Sequence, residues 1–213
     1  STNKFIADAT IFQSNWSKSK NLEMGIKRNR FETTILNAPH QNFFNRNNKT
    51  EFNKNRKIKL IATSWSDNIK KGFDTYKWLD ENLDYDKYEM TFVGNSPIKF
   101  KNIIYKQPMN SEELAKELKL NDIFITASEK DPCSNSLIEA LHCGLPSIGL
   151  SDGGHTEIIG NGGELFQEKD DILVLLDKII DNYEEYQQKI YLPKMDDVGN
   201  NYYKFLEGIY NEQ

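Results

Sequence analysis

Cysteine is almost absent from this chain. Cys133 and Cys143, among 213 residues, are too few for a disulfide framework, so a reducing compartment is the simpler reading. They stand ten residues apart with no matching Cys/His pair, which argues against zinc. Histidine is scarce as well: the spacing of His40, His142 and His155 supports neither a metal site nor a Ser/His/Asp triad. No apolar run approaches the ~20 residues of a spanning helix. No signal-peptide pattern is visible, and the first residue is not Met. Positive charge is not in excess; the net charge of -5 leaves no footprint for nucleic acid. These absences give the expectation of a cytoplasmic protein, free or at the cytoplasmic membrane surface. The sequons Asn15-Trp16-Ser17 and Asn48-Lys49-Thr50 are then chance matches. The locally basic stretch Asn42 to Lys59 reads as a solvated linker rather than a membrane patch.

What is present suits a soluble globular domain, with 38% hydrophobic and 28% charged residues. Residues 5 to 36 read as strand (Phe5 to Gln13), helix (Asn15 to Met24) and strand (Thr33 to Leu36). Residues 37 to 57, rich in Asn, Lys and Arg, read as an exposed loop or linker. Strands are then expected at Lys57 to Thr63, Glu89 to Val93, Asn102 to Tyr105, Asp122 to Ala127, Pro146 to Leu150 and Gly163 to Phe166. Helices are expected at Phe73 to Asn82, Ser111 to Leu118, Ser136 to His142, His155 to Ile159, Asp170 to Tyr186 and Asn200 to Tyr210. Alternating strands and helices predict an α/β fold, a Rossmann-like βαβ sandwich with a mostly parallel sheet.

Ligands of such sheets bind beyond the carboxyl ends of the strands. Four polar, Gly-bearing segments follow directly on strands: Ser64 to Gly72, Gly94 to Pro97, Ser128 to Ser136, and Ser151 to Glu157. They should converge on one edge. Ser134, Asn135 and Ser136 are strong helix N-cap residues, and a free helix start favours an anion such as pyrophosphate. Equally, Ser136 to Glu139 fits a capping box, with Glu139 bonding back to the Ser136 amide. A ligand role would instead have Glu139 accept from a ribose diol. Lys71 can neutralise a phosphate, and Gly72 permits close backbone approach, although Lys-Lys-Gly is more often a solvated turn. Gly153 and Gly154 predict a tight turn. Glu157 reads first as a dipole-compensating surface residue, second as a sugar contact. Trp65 either stacks on a base or sugar or packs its loop. Asp84-Tyr85-Asp86 reads as a solvated turn with no metal.

Together these segments resemble the donor-binding half of retaining glycosyltransferases of the GT-B fold, most closely glycosyltransferase family four. The resemblance runs from about Lys57 to Phe166. Its centre is Asp131 and Glu139 with seven residues between, then Ala140, Cys143-Gly144-Leu145-Pro146 and Gly153-Gly154-His155-Thr156-Glu157. Lys70-Lys71-Gly72 is similar to the family's phosphate segment. The resemblance implies a nucleotide-diphosphate sugar donor (UDP- or GDP-linked), retaining hexosyl transfer, no cofactor and no metal. It implies that Glu139 binds the ribose hydroxyls and Asp131 faces the transferred sugar. Lys71 and the amides of Ser134 to Ser136 would hold the diphosphate, so Asp131 and Lys71 carry the chemistry. Gly153, Gly154 and His155 would line the sugar and phosphate pocket, with Ser64, Trp65 and Gly94 at the same edge.

The chain departs from that pattern in three ways. The first acid is Asp131 rather than the usual Glu. The Arg that usually precedes the Lys-Gly segment is absent. The family's acceptor-binding domain is represented only by residues 1 to 56, read as its remnant plus a linker, ahead of a donor domain (57 to 190) and a crossing helix (191 to 213). The expectation is a fragment, or a chain whose acceptor-side domain is supplied in cis or trans. The acceptor would be a glycan, lipid or protein, as in polysaccharide biosynthesis. Two other readings are a catalytically incomplete nucleotide-sugar-binding module and a GT-B nucleotide-sugar epimerase.

Overall fold

A computed structural model describes residues 8–212. The chain begins with a small unit: β1 (Ala9–Phe12), α1 (Asn15–Glu23) and β2 (Phe31–Thr34), the two strands pairing parallel. The first expected strand starts at Phe5, and its residues 5–7 lie outside the described residues. The second strand lies slightly earlier than Thr33 to Leu36. Its line still continues to Ile35, which is buried and whose N–H donates to the Phe12 carbonyl at 2.8 Å.

Residues 37–57 have no helix or strand and are largely exposed, as expected of a loop, but a few side chains anchor them to the main unit. Phe44 is only 2% exposed, and Phe52 stacks on Tyr183 with ring centroids 3.9 Å apart. The Thr50 N–H donates to the Lys119 carbonyl at 2.9 Å. Arg56 grips the buried Asp122 carboxylate with both arms, at 2.7 and 2.9 Å, and the Lys59 N–H donates to the same group. Single anchors of this kind leave no periodicity in a sequence.

The main sheet is made by β3 (Ile58–Ser64), α2 (Phe73–Asn82), β4 (Tyr88–Gly94), β5 (Ile104–Lys106), α3 (Ser111–Lys119), β6 (Ile123–Thr126), α4 (Asn135–His142), β7 (Ser147–Leu150), α5 (His155–Ile159) and β8 (Gly163–Phe166). Its strand order is β5-β4-β3-β6-β7-β8, with every neighbouring pair parallel. All four residues of β6 are buried, because both faces of the sheet are covered. One face packs on Phe73, Tyr76 and Leu79 of α2. The other packs on Leu114 and Leu118 of α3 and Leu137 and Leu141 of α4.

Instead of one helix from Asp170 to Tyr186, two follow: α6 (Asp171–Asp181) and α7 (Tyr183–Lys189). They break at Asn182 because Tyr183 is pulled inward, its hydroxyl donating to the Asp122 carbonyl at 2.9 Å. The last helix, α8 (Met195–Asn211), starts five residues before the expected Asn200. Asp196 and Asp197 in its first turn suit the positive helix end, and Asp197 accepts from the Lys194 N–H at 3.1 Å. Its far end returns to the small unit, where Arg30 pairs with Glu212 at 3.2 Å.

Candidate functional site

The strand order reverses direction between β3 and β6, so the connections leaving these two strands part and open a crevice. A cavity of about 300 Å³ lies there. Seven expected site residues line it: Ser64, Trp65, Lys71, Asp131, Ser134, Asn135 and Ser136. Glu139, Gly94, Gly153, Gly154 and His155 are not in its lining, although Gly94 packs on Ser64 and Gly153 and Gly154 pack on the Asp131 loop.

Lys71 ends a 3-10 turn, Ile69–Lys71, whose C-cap Gly72 has φ +82°. A Cβ on Gly72 would stand 2.3 Å from the Ala127 carbonyl oxygen. The close approach that this glycine permits is therefore to the exit of β6 rather than to a ligand. The Glu129 N–H donates to the Lys70 carbonyl at 2.8 Å and fixes the same contact. As a result the Lys71 ammonium reaches Asp131 Oδ2 at 3.0 Å. The other Asp131 oxygen accepts from the Cys133 N–H at 3.2 Å, and the Ser128 hydroxyl lies 3.4 Å from Oδ2.

The two glycines of the Ser151–Glu157 turn back the acid loop. A Cβ on Gly153 (φ +64°) would stand 2.3 Å from the Asp131 carbonyl oxygen, and one on Gly154 would stand 2.5 Å from that of Pro132. The Gly154 N–H donates to the Asp131 carbonyl at 2.9 Å. His155 is fully buried and donates from Nδ1 to the Leu150 carbonyl at 2.9 Å. Burial pushes its pKa down, so the ring is neutral, and Nε2 has no partner among the described residues.

The capping box expected at Ser136 does not form. α4 starts one residue earlier with Ser134 as N-cap, which moves Glu139 past the position from which a carboxylate reaches back. Glu139 stands one turn beyond Asn135 on the same helix face. Among the described residues its carboxylate has no hydrogen-bond or ion-pair partner, and desolvation raises its pKa to about 7. The first-turn N–H groups of α4 have no helical acceptors. Trp65 does not pack its loop: it is 63% exposed at the cavity mouth. A Cβ on Gly94 would meet the Ser64 carbonyl oxygen at 1.9 Å, so Gly94 shapes the exit of β3.

The sequence pattern does not reveal the role of Glu157. Its carboxylate accepts from the Asn15 N–H at 3.0 Å, the Asn15 side-chain amide at 3.1 Å and the Trp16 N–H at 2.9 Å. It takes the first two N–H groups of α1, beside the Ser14 cap, and joins the small unit to the edge of the site. Asn37 adds a second tie, donating to the Asn135 side-chain oxygen at 3.0 Å. Both partnerships span about 100 residues or more, and no local signal announces them. Asp84 accepts from the Asp86 N–H at 2.9 Å and closes its own exposed turn. Among the described residues no helix is long and apolar enough to cross a membrane.

Residues 46–192 match the family described as glycosyl transferases group 1. The chain belongs to that family. This group 1 chain is 29% identical, over 144 residues, to a probable sucrose-phosphate synthase of Thermosipho melanesiensis; the match covers 64% of the chain and 33% of the relative. Its fold is similar to that of the sucrose-phosphate synthase tll1590 from Thermosynechococcus elongatus (TM-score 0.74, 14% identity, 97% of this chain and 59% of the other). It is also similar to Anabaena Alr3699/HepE, solved in complex with UDP-glucose (TM-score 0.73, 13% identity, 98% and 65%). The chain thus spans 33% of the curated relative and less than two thirds of either solved chain. The α/β class and parallel sheet expected from the sequence are those of these GT-B glycosyltransferase structures.

Proposed function

We propose that this chain is the donor domain of a retaining glycosyltransferase of family four, moving a hexosyl group from a nucleotide-diphosphate sugar to a glycan, lipid-linked or protein acceptor. The observation that carries this reading is the switch-point cavity, where Lys71, Asp131 and the free start of α4 meet. The diphosphate would lie on Lys71 and the α4 amides, preorganised donors for the charge that develops on the leaving group. In the empty site Lys71 holds Asp131. Phosphate draws the ammonium away and frees the carboxylate to face the transferred sugar. Glu139, behind Asn135, accepts from the ribose hydroxyls. Trp65 and Ser64 border the base or sugar; Gly94, Gly153, Gly154 and His155 hold the walls. No metal or other cofactor takes part, and acceptor binding falls to a further domain in cis or trans. The protein works in the cytoplasm or at the cytoplasmic membrane surface.

UDP is the favoured nucleotide, because a structure of the same fold binds UDP-glucose. Calorimetric titration of the chain with UDP, GDP and ADP, repeated on Glu139→Ala, tests the proposal. One nucleotide should bind saturably and lose affinity in the variant. Unchanged affinity would remove Glu139 from the site. A second reading, a binding module without transfer, draws on one feature: Lys71 is the only cation among the residues lining the cavity. Failure of every nucleotide to bind a folded sample would favour it.

A further inference from the structure

The chain leaves the small unit for the main sheet through residues 35–57 and returns towards it through Ile190–Lys194 and α8. These two crossings touch: the Arg46 guanidinium donates to the Ile190 carbonyl at 3.2 Å. Between them and the end of α4 lies a second cavity, of about 450 Å³, with Phe44 and Leu141 in its wall. Pockets of this size accept small organic ligands.

The charge of this cavity is one-sided. Arg46 and Lys194 line it and no Asp or Glu does, although the chain as a whole carries 32 acidic residues against 27 basic. Among the described residues neither cation has a carboxylate within ion-pair distance. Two more lining residues carry unsatisfied nitrogens, both buried: Gln41 Nε2, a donor, and His142 Nε2, an acceptor because the other ring nitrogen bonds the Pro193 carbonyl. Buried polar groups are ordinarily paired, so these two mark an incomplete network. The flexible Gln41 side chain can turn its amide into the cavity. Asp196 and Asp197 answer the positive pole at the start of α8 from outside the lining, and within the lining itself Arg46 and Lys194 carry the charge.

We propose that this cavity binds a small organic phosphate, with the phosphoryl group on Arg46 and Lys194 and the organic body against Phe44 and Leu141. A guanidinium and an ammonium are the two side chains best suited to such a group. The site is separate from the switch-point cavity, and the inference goes beyond the donor reading without resting on it. Bound there, the ligand braces both chain crossings and the helix whose start lines the switch-point cavity.

Phenyl phosphate serves as the probe, with benzyl alcohol as its uncharged counterpart. Calorimetric titration of the whole chain should show saturable phenyl phosphate binding, at least about ten-fold tighter than benzyl alcohol. Arg46→Ala should weaken it at least about ten-fold. Arg46 also holds Ile190, so Lys194→Ala, at an exposed position, provides the second variant and should weaken binding in the same direction. Urea unfolding curves confirm that each variant is folded. Equal affinity in wild type and both variants, equal binding of benzyl alcohol, or no saturable binding to the wild type would each overturn the proposal. UDP titration of Lys194→Ala should match wild type. Should UDP fail to bind any sample, the phenyl phosphate result still decides this site alone.

Discussion

Glu139→Gln should make this protein more stable and a poorer nucleotide binder. The glutamate carboxyl is half-buried with no side-chain partner among the described residues, and desolvation raises its pKa from 4.5 to about 7. A group whose folded pKa lies above its unfolded one binds more protons in the folded state between those two values. Stability therefore falls as pH rises from 4.5 to about 7, and it stays lower above that. At ~1.4 kcal/mol per pKa unit, the ionised carboxylate costs roughly 3 kcal/mol at pH 8. Glutamine keeps the shape and removes the charge. Urea unfolding at pH 5 and pH 8 should give a small difference between variant and wild type at the lower pH. At the higher pH it should give a gain of roughly 2–3 kcal/mol for the variant. Taking the difference at each pH cancels the other titrating groups. The same substitution should weaken the proposed nucleotide binding by about ten-fold or more, the worth of hydrogen bonds to a charged acceptor. A stability difference independent of pH would refute the burial argument; a large gain with intact nucleotide affinity would refute the role.

Three more outcomes follow from the geometry. Gly72→Ala places a Cβ 2.3 Å from the Ala127 carbonyl oxygen at φ +82°, so it should cost about 2 kcal/mol or more in urea unfolding. Glu157→Ala removes the acceptor of the first two N–H groups of α1, leaving the Ser14 cap, and should speed amide hydrogen exchange at Asn15 and Trp16 by about five-fold or more, with the β3–β6 amides unchanged. Burial pushes the Cys143 thiol up to about 12 and raises Cys133 as well. Neither should react with a thiol reagent at pH 8 in the native protein, and both should react in urea.

The sequence was most legible where local chemistry and tertiary structure agree. Phe73–Asn82, His155–Ile159 and Gly163–Phe166 have the expected bounds because Gly72, Gly154 and Gly162 punctuate their starts. The convergence of Lys71 and Asp131 was legible because strand ends in a parallel sheet share one edge. Of the two readings of Ser136 to Glu139, the capping box does not form, because the helix starts with Ser134 as its N-cap. The anchors of residues 37–57, the inward pull of Tyr183 and the Glu157 cap were not legible. Each depends on one side chain meeting a group brought near only by the finished fold.

That dependence bears on when the site comes into being. Lys71 follows β3 and Asp131 follows β6, 60 residues later, and the ammonium reaches the carboxylate only after those strands lie side by side. Parallel pairing closes long loops before it gains contacts, so it is a slow part of folding. Any species with the β3–β6 pairing open would lack the proposed anion cradle, however much helix it holds. Recovery of the proposed nucleotide affinity during refolding would then time the closing of the sheet centre, separately from the recovery of helical signal.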